Sequence, residues 1–311
     1  MAYKAHVLKI YTDAMGSAVL LGGILRQSAA NRTRVVAEAV AGSQYALHAS
    51  INEIKTGFTF QTHSLKQAID AVGFAGLSLL SATNPGLELY EMLYTDQGQL
   101  AAGSVHRKLA IRNGRLVIRR LSCLHRQDAS LELEAFAISG DGVTAPLTIS
   151  DNVASPGTAT DPARHTLGDI QLAAVNMGCV QSLEIDFGIN IDTLGCNSNI
   201  YDTQVDVPSI LPTIMVTTKK VDVFSATGIP LVGKEATQAN TYIKLRKRVK
   251  NTGSFVADAT AEHIVINSAG IVEVQTPFEG QAMEDATAQV KLHALFDGTN
   301  APIVINTASA L

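Results

Sequence analysis

The chain has 311 residues, with 28 acidic and 24 basic side chains and a formal net charge of −4. That length holds one large domain or two of about 150 residues. The acidic balance argues against a general nucleic-acid binder, which shows a basic excess over its whole domain. No Trp, 5% aromatic and 17% charged residues, in a chain rich in Ala, Thr, Ser, Val, Ile, Asn and Gly, point to a β-rich assembly that buries surface against copies of itself.

The opening MAYKAHVLKIYTDAMGS lacks the apolar core of a signal peptide, and the apolar run over residues 18–25 is too short to span a bilayer. The expectation is a protein kept in a cytoplasm, or one that leaves it without a secretory signal. Residues 11–32 read as a long loop. Period-two patterns predict strands over residues 34–40, 47–54, 108–111 and 130–138. Between them SLKQAIDAVG predicts a helix. Ser64 caps it, Gln67 completes a capping box, Leu65, Ile69 and Val72 line one face, and Gly73 ends it. HRKLAIRNGRLVI, from His106, has the alternation and Asn-Gly turn of a β-hairpin. Cys123, Cys179 and Cys196 fit no C-x-x-C spacing, so reduced, mostly buried thiols are expected. Cys123 and His125 share a face of a possible strand, but a structural metal site needs about four ligands.

Residues 151–164, DNVASPGTATDPAR, carry no apolar period and read as a linker. Beyond it the patterns return. ASLELEAFAISGDGVTAPLTIS from Ala129 resembles ATAQVKLHALFDGTNAPIVIN from Ala286, at 286 − 129 = 157. HRKLAIRNGRLVI from His106 resembles HIVINSAGIVEV from His263, again at 263 − 106 = 157. Tyr45 and Ile54 match Tyr201 and Ile210, both at an offset of 156 (201 − 45 and 210 − 54). Collinear blocks at a near-constant offset imply a tandem duplication. The expected fold is mainly β: two similar sandwich or barrel modules, residues 1–155 and 156–311, each with a short flanking helix.

GIPLVGKE, from Gly228 to Glu235, falls one residue short of the phosphate-loop pattern, with Glu235 where a metal-binding hydroxyl belongs. A nucleotide-binding enzyme built on it is the competing reading. Against it, Pro230 removes an N–H from the cradle, and the following sequence turns into a strand where a phosphate loop opens a helix. Under the duplication, Gly228 falls on Gly73 (228 − 73 = 155), which makes the stretch the turn after a short helix, with Ser78 and Leu79 in the places of Gly233 and Lys234.

YIKLRKRVK puts Lys244, Arg246, Arg248 and Lys250 on one face of a strand. At an offset of 155 (246 − 91), Arg246 falls on Glu91, with Glu88 in the same acidic segment. One copy is acidic where the other is basic, which would let unlike modules attract and fix the register of a ring. These six residues are the candidate inter-module interface. No catalytic set emerges: there is no G-x-S-x-G elbow and no H-E-x-x-H helix. No cofactor or metal is expected.

The paired endings ISGDGVTAPLTIS and LFDGTNAPIVINTASAL, the helix SLKQAIDAVG and the Trp-free, small-residue composition resemble the major tail tube proteins of long-tailed bacteriophages, in particular those with two fused tube modules. The resemblance implies a two-sheet sandwich with a flanking helix in each module. It further implies strands that join those of neighbours in an inner barrel, and trimeric rings of pseudo-six-fold symmetry that stack into a tube. The implied partners are further copies of the chain, other tail proteins and DNA passing through an acidic lumen without sequence-specific contact. The implied location is the virion tail, assembled in the host cytoplasm, with no membrane. Other virion roles, such as a tail terminator, baseplate ring or capsid-stabilising protein, share these features. The basic row would be unhelpful in such a lumen and is expected between modules or rings. Residues 11–32 would be a ring-to-ring contact.

Overall fold

The computed structural model describes residues 3–12, 18–39, 45–80, 86–157, 159, 162–196, 198–225, 227–280 and 285–311. Most of the described residues are in strands. Among the described residues there is one α-helix, Leu65–Val72, and one 3-10 turn, Val221–Val223. The helix buries Leu65, Ala68, Ile69 and Val72, the face its spacing predicts. Gly73 closes it, its N–H bonding the Ile69 carbonyl at 2.8 Å. The capping box does not form, because the Ser64 hydroxyl donates to the Gly22 carbonyl at 2.7 Å and so ties the helix to the sheet. Among the described residues the expected helix of the second half is not found; Val221–Val223 is a 3-10 turn, and two of its three residues are β-branched valines, poor helix formers.

Three larger sheets carry the architecture. One runs Leu147–Val153, His106–Ile111, Leu87–Leu93, Tyr3–Tyr11, Ala18–Leu21. A second runs Ile303–Ser309, His263–Ser268, Tyr242–Lys247, His165–Leu172, Val175–Asn176. Counting strands in chain order inside each, both read fifth, fourth, third, first, second. The third sheet has ten strands. One part of it runs Leu77–Leu80, Asn113–Leu124, Ser130–Ala137, Ala46–Thr62, Ile24–Ala39; the other runs Lys234–Ala236, Gly270–Glu279, Thr287–Ala294, Thr213–Thr218, Val180–Asp186. These orders also agree strand for strand. The parts join where Val180–Asp186 pairs with Asn113–Leu124, in register from Arg120↔Asp186 to Leu124↔Ser182. A separate hairpin, Ile189–Leu194 with Gln204–Ile210, completes the fold.

The core lies between the five-stranded sheets and the ten-stranded one. Leu8, Ile10, Leu87 and Leu89 belong to the first five-stranded sheet, and Leu116, Ile118, Leu131 and Leu133 to the ten-stranded one. Ile170, Ile243, Ile264 and Ile266 with Val216, Val290 and Leu292 do the same for the rest of the chain. Each such side chain contributes about 1.5–3 kcal/mol on burial.

Two sequence expectations are corrected here. The segments from His106 and His263 are not hairpins: His106–Ile111 and Asn113–Leu124 lie in different sheets, as do His263–Ser268 and Gly270–Glu279. The chain turns a corner between layers at Gly114 (φ 145) and Gly270 (φ 149). A Cβ at these glycines would sit 1.8 Å from the Phe136 carbonyl oxygen and 2.0 Å from that of His293. The corner wins because it turns the apolar faces of both strands onto one core, which a two-stranded ribbon cannot do. Residues 11–32 are not a loop either: Tyr3–Tyr11, Ala18–Leu21 and Ile24–Ala39 are strands, and residues 13–17 lie outside the described residues. Of the expected linker, residues 151–153 finish a strand, the described residues of 154–164 have no regular structure, and residues 158, 160 and 161 lie outside the description.

Candidate functional site

Four of the six charged residues singled out by sequence stand in two separate sheets, and Arg248 and Lys250 follow the end of a strand. Glu88 and Glu91 lie on Leu87–Leu93, while Lys244 and Arg246 lie on Tyr242–Lys247. Each acid finds a partner in its own sheet. Glu88 is 3% exposed, pairs with Lys108 Nζ at 2.9 Å and accepts a hydrogen bond from the Tyr90 hydroxyl at 2.7 Å. Burial first, and then the Glu88 carboxylate, push the Tyr90 phenol well above the ordinary tyrosine range. Glu91 lies 3.7 Å from Arg107.

The basic row is also satisfied locally. Arg246 pairs with Asp258 at 2.8 Å and stacks on the Phe255 ring at 4.5 Å. Lys244 sits 4.9 Å from the centre of the Tyr242 ring. The strand ends at Lys247, so the expected face of four cations is reduced to two. Asn251 (φ 60) turns the chain back, and Val249 N–H bonds the Ser254 carbonyl at 3.0 Å. Arg248 lies past the strand end and reaches Asp128 at 3.0 Å, linking parts of the chain 120 residues apart (248 − 128). Lys250 stands in the turn.

The two rows do not align as the offset of 155 implied. Leu93 N–H donates to His106 Nδ1, and Lys247 N–H to His263 Nδ1, each at 3.0 Å. Matching these two bonds gives 247 − 93 = 154, which sets Arg246 against Met92 and Leu245 against Glu91, one place off the offset of 155. Both histidines are fully buried, and each serves as an acceptor locking the neighbouring strand.

The near-match to a phosphate loop leads into a strand. Lys234 opens Lys234–Ala236, and its Nζ curls back to the Gly228 carbonyl at 3.1 Å. Gly233 (φ 91) stands before this strand as Gly76 (φ 84) stands before Leu77–Leu80, at 233 − 76 = 157. On this match Gly76, and not Ser78, lines up with Gly233.

Cys123 is buried and its thiol is pushed up to about 11, chiefly by desolvation, while Cys179 is exposed. His125 follows the strand end and is exposed. Among the described residues no three His, Cys, Asp or Glu side chains gather as metal ligands. A cavity of about 430 Å³ is lined by Lys244, Arg246, His125, Cys179, Asp169 and Asp258. The Arg246–Asp258 pair cancels charge inside it.

What sequence reasoning missed is backbone, not side chain. The ten-stranded sheet ends on two open edges: Ile24–Ala39 at one end, and at the other the length of Gly270–Glu279 past its pairing with Lys234–Ala236. At the inner joint the same two kinds of edge are already paired. The face turned away from the core carries matched charges, Arg119 with Glu134 at 2.6 Å and Arg120 with Glu184 at 3.4 Å, and His293 Nε2 lies 2.8 Å from Glu273. No protein-family model matches the chain, and no curated protein matches it.

Proposed function

We propose that the chain is two copies of one β module, residues 1–155 and 156–311, and that it is the tail tube subunit of a long-tailed bacteriophage. In this reading three chains close into a ring of six modules, and rings stack round a channel for DNA. The observation that carries the reading is the inner joint of the ten-stranded sheet. There the first strand of one half-sheet pairs with the corner strand of the other. The open edges offer the same pairing to another copy, since Ile24–Ala39 corresponds to Val180–Asp186 and Gly270–Glu279 to Asn113–Leu124.

Further support comes from details that recur at the same spacing. Thr62 donates to the Gly22 carbonyl at 3.1 Å and Thr218 to the Gly178 carbonyl at 2.6 Å, both 156 residues apart (218 − 62 and 178 − 22). Asp141 and Asp297 each accept bonds from the turn that follows, again at 297 − 141 = 156. The register of the inner joint transfers accordingly, so residues 26–30 of one copy meet residues 276–280 of the next. Open edges invite pairing, and closure of the sheet on itself removes them. A head-to-tail contact that closes generates a ring. The matched charges on the non-core face suit a wall along which DNA slides without sticking.

Negative-stain electron microscopy of the purified chain tests the reading: rings or tubes are expected. A monomer under every salt condition, with no rings or tubes, would overturn it.

A further inference from the structure

The hairpin Ile189–Leu194/Gln204–Ile210, a two-stranded sheet of its own, seats its tip on the other half of the chain. Ile200 and Tyr201 N–H groups both bond the Gly142 carbonyl at 3.1 Å, and Ser139 N–H bonds the Asp202 carbonyl at 2.8 Å. Ile54 N–H closes the seat on the Ile200 carbonyl at 2.9 Å. Under that tip Ser139 is only 2% exposed.

Among the described residues, no such tip covers the corresponding turn at residues 295–298. Leu295 N–H bonds the Ala269 carbonyl at 2.8 Å as Ile138 N–H bonds the Asn113 carbonyl at 3.0 Å, which puts Phe296 in the place of Ser139. Phe296 is 64% exposed and Leu295 48%. They border an open cavity of about 570 Å³ with Val232 and Ile271. The hairpin that corresponds to the seated one is the outer part of Ile24–Ala39 and Ala46–Thr62. Tyr45 at its end is 79% exposed, and its cross-strand pair Val35 and Ile51 is exposed too. The residues in the places of Val35 and Ile51 are Ile191 and Val207, at 156 in both cases (191 − 35 and 207 − 51), and both pack against the core.

We propose that this arm of one copy docks on residues 295–298 of the next copy, as the hairpin tip docks on residues 139–142 within the chain. The proposal rests on the two-copy reading above. It places Tyr45 N–H on the Gly298 carbonyl and Phe296 N–H on the Ala46 carbonyl, and it covers the apolar patch of Leu295 and Phe296. Exposed apolar patches of this kind mark contact surfaces. The occupant is a second copy of this chain because the chain already carries both the seat and the arm that fits it, at opposite ends of one sheet. The contact is lateral, within a ring, and independent of ring stacking.

The test is disulfide trapping in a background with Cys179→Ser and Cys196→Ser. Ala46→Cys and Phe296→Cys would face each other across adjacent segments, where Cα separations fall in the disulfide range of about 4.4–6.8 Å. A chain with both cysteines should give a ladder of cross-linked multimers on mild oxidation, and a mixture of the two single variants should give dimers only. Hydrogen exchange on the unaltered protein gives a second readout: residues 45–54 and 295–298 should be protected in particles and exchange at least tenfold faster in free chains. Rings that form without the ladder and without that protection would overturn the docking and leave the ring reading standing. Failure to assemble at all would overturn both.

Discussion

At the scale of single residues, Glu88 and His165 make the most definite claims. The Glu88 carboxylate holds Lys108 and Tyr90 together under the surface of its sheet. Glu88→Ala leaves the Lys108 ammonium with water on only one side. The expected loss is about 2 kcal/mol, less than the ~3–5 kcal/mol for a fully buried pair because Lys108 keeps some solvent contact. Urea unfolding measures it. Tyr90 keeps its proton in the folded chain beyond the ordinary value of 10.0. Stability from this group is therefore present below about pH 10 and falls as the pH rises past it, because the unfolded chain loses the proton first. An alkaline absorbance titration, with Tyr90→Phe as the subtraction, should show one late phenol that Glu88→Gln brings earlier; no change on Glu88→Gln would contradict the assignment. His165 has the opposite sign. Burial holds its pKa below 6.5, so the unfolded chain takes up the proton first as the pH falls. Stability from it is present above pH 6.5 and is lost on acidification. His165→Gln should flatten the decline of the urea midpoint between about pH 7 and pH 5, and an unchanged slope would refute this.

At the scale of elements, the corner glycines decide how strands are shared between layers. Gly270→Ala forces a Cβ to within 2.0 Å of the His293 carbonyl oxygen at φ 149. A loss of about 2–4 kcal/mol is expected from backbone strain and overlap together. Gly253→Ala, with nothing within 4 Å, should stay within about 0.5 kcal/mol. Equal effects at the two sites would show that the corner is not what Gly270 serves. Much at this scale was legible in the sequence. Alternation located Ser130–Ala137, and a 3.6-residue period located Leu65–Val72. Alternation states which face is buried but not which strand lies alongside, so Asn113-Gly114 passed for a hairpin turn. The stretch RQSAANRTR inside Ile24–Ala39 has no apolar period because it is an edge strand, mostly exposed and paired with one neighbour only. The charged rows were located but misregistered by one place, since spacing alone cannot count the residues in the intervening turns.

At the scale of the whole molecule, the proposed ring rests on the open edges, and one residue should tune them. Pro277 stands where Leu121 stands at the inner joint (277 − 121 = 156) and has no N–H to give a partner strand. In the proposed ring, a joint between chains would therefore be weaker than the joint within one. Pro277→Val restores the donor and should lower the concentration of half-association about fivefold, the equivalent of ~1 kcal/mol for one hydrogen bond. Sedimentation velocity over a dilution series reads it, and an unchanged or weakened association would place the contact elsewhere. The most direct test of the central claim is the mass and symmetry of the assembled particle, by electron microscopy with two-dimensional averaging. Closed rings of six similar lobes from three chains, with a continuous inner wall of strands, are expected. Single chains at every concentration and salt, or particles whose ten-stranded sheets do not meet edge to edge, would contradict it.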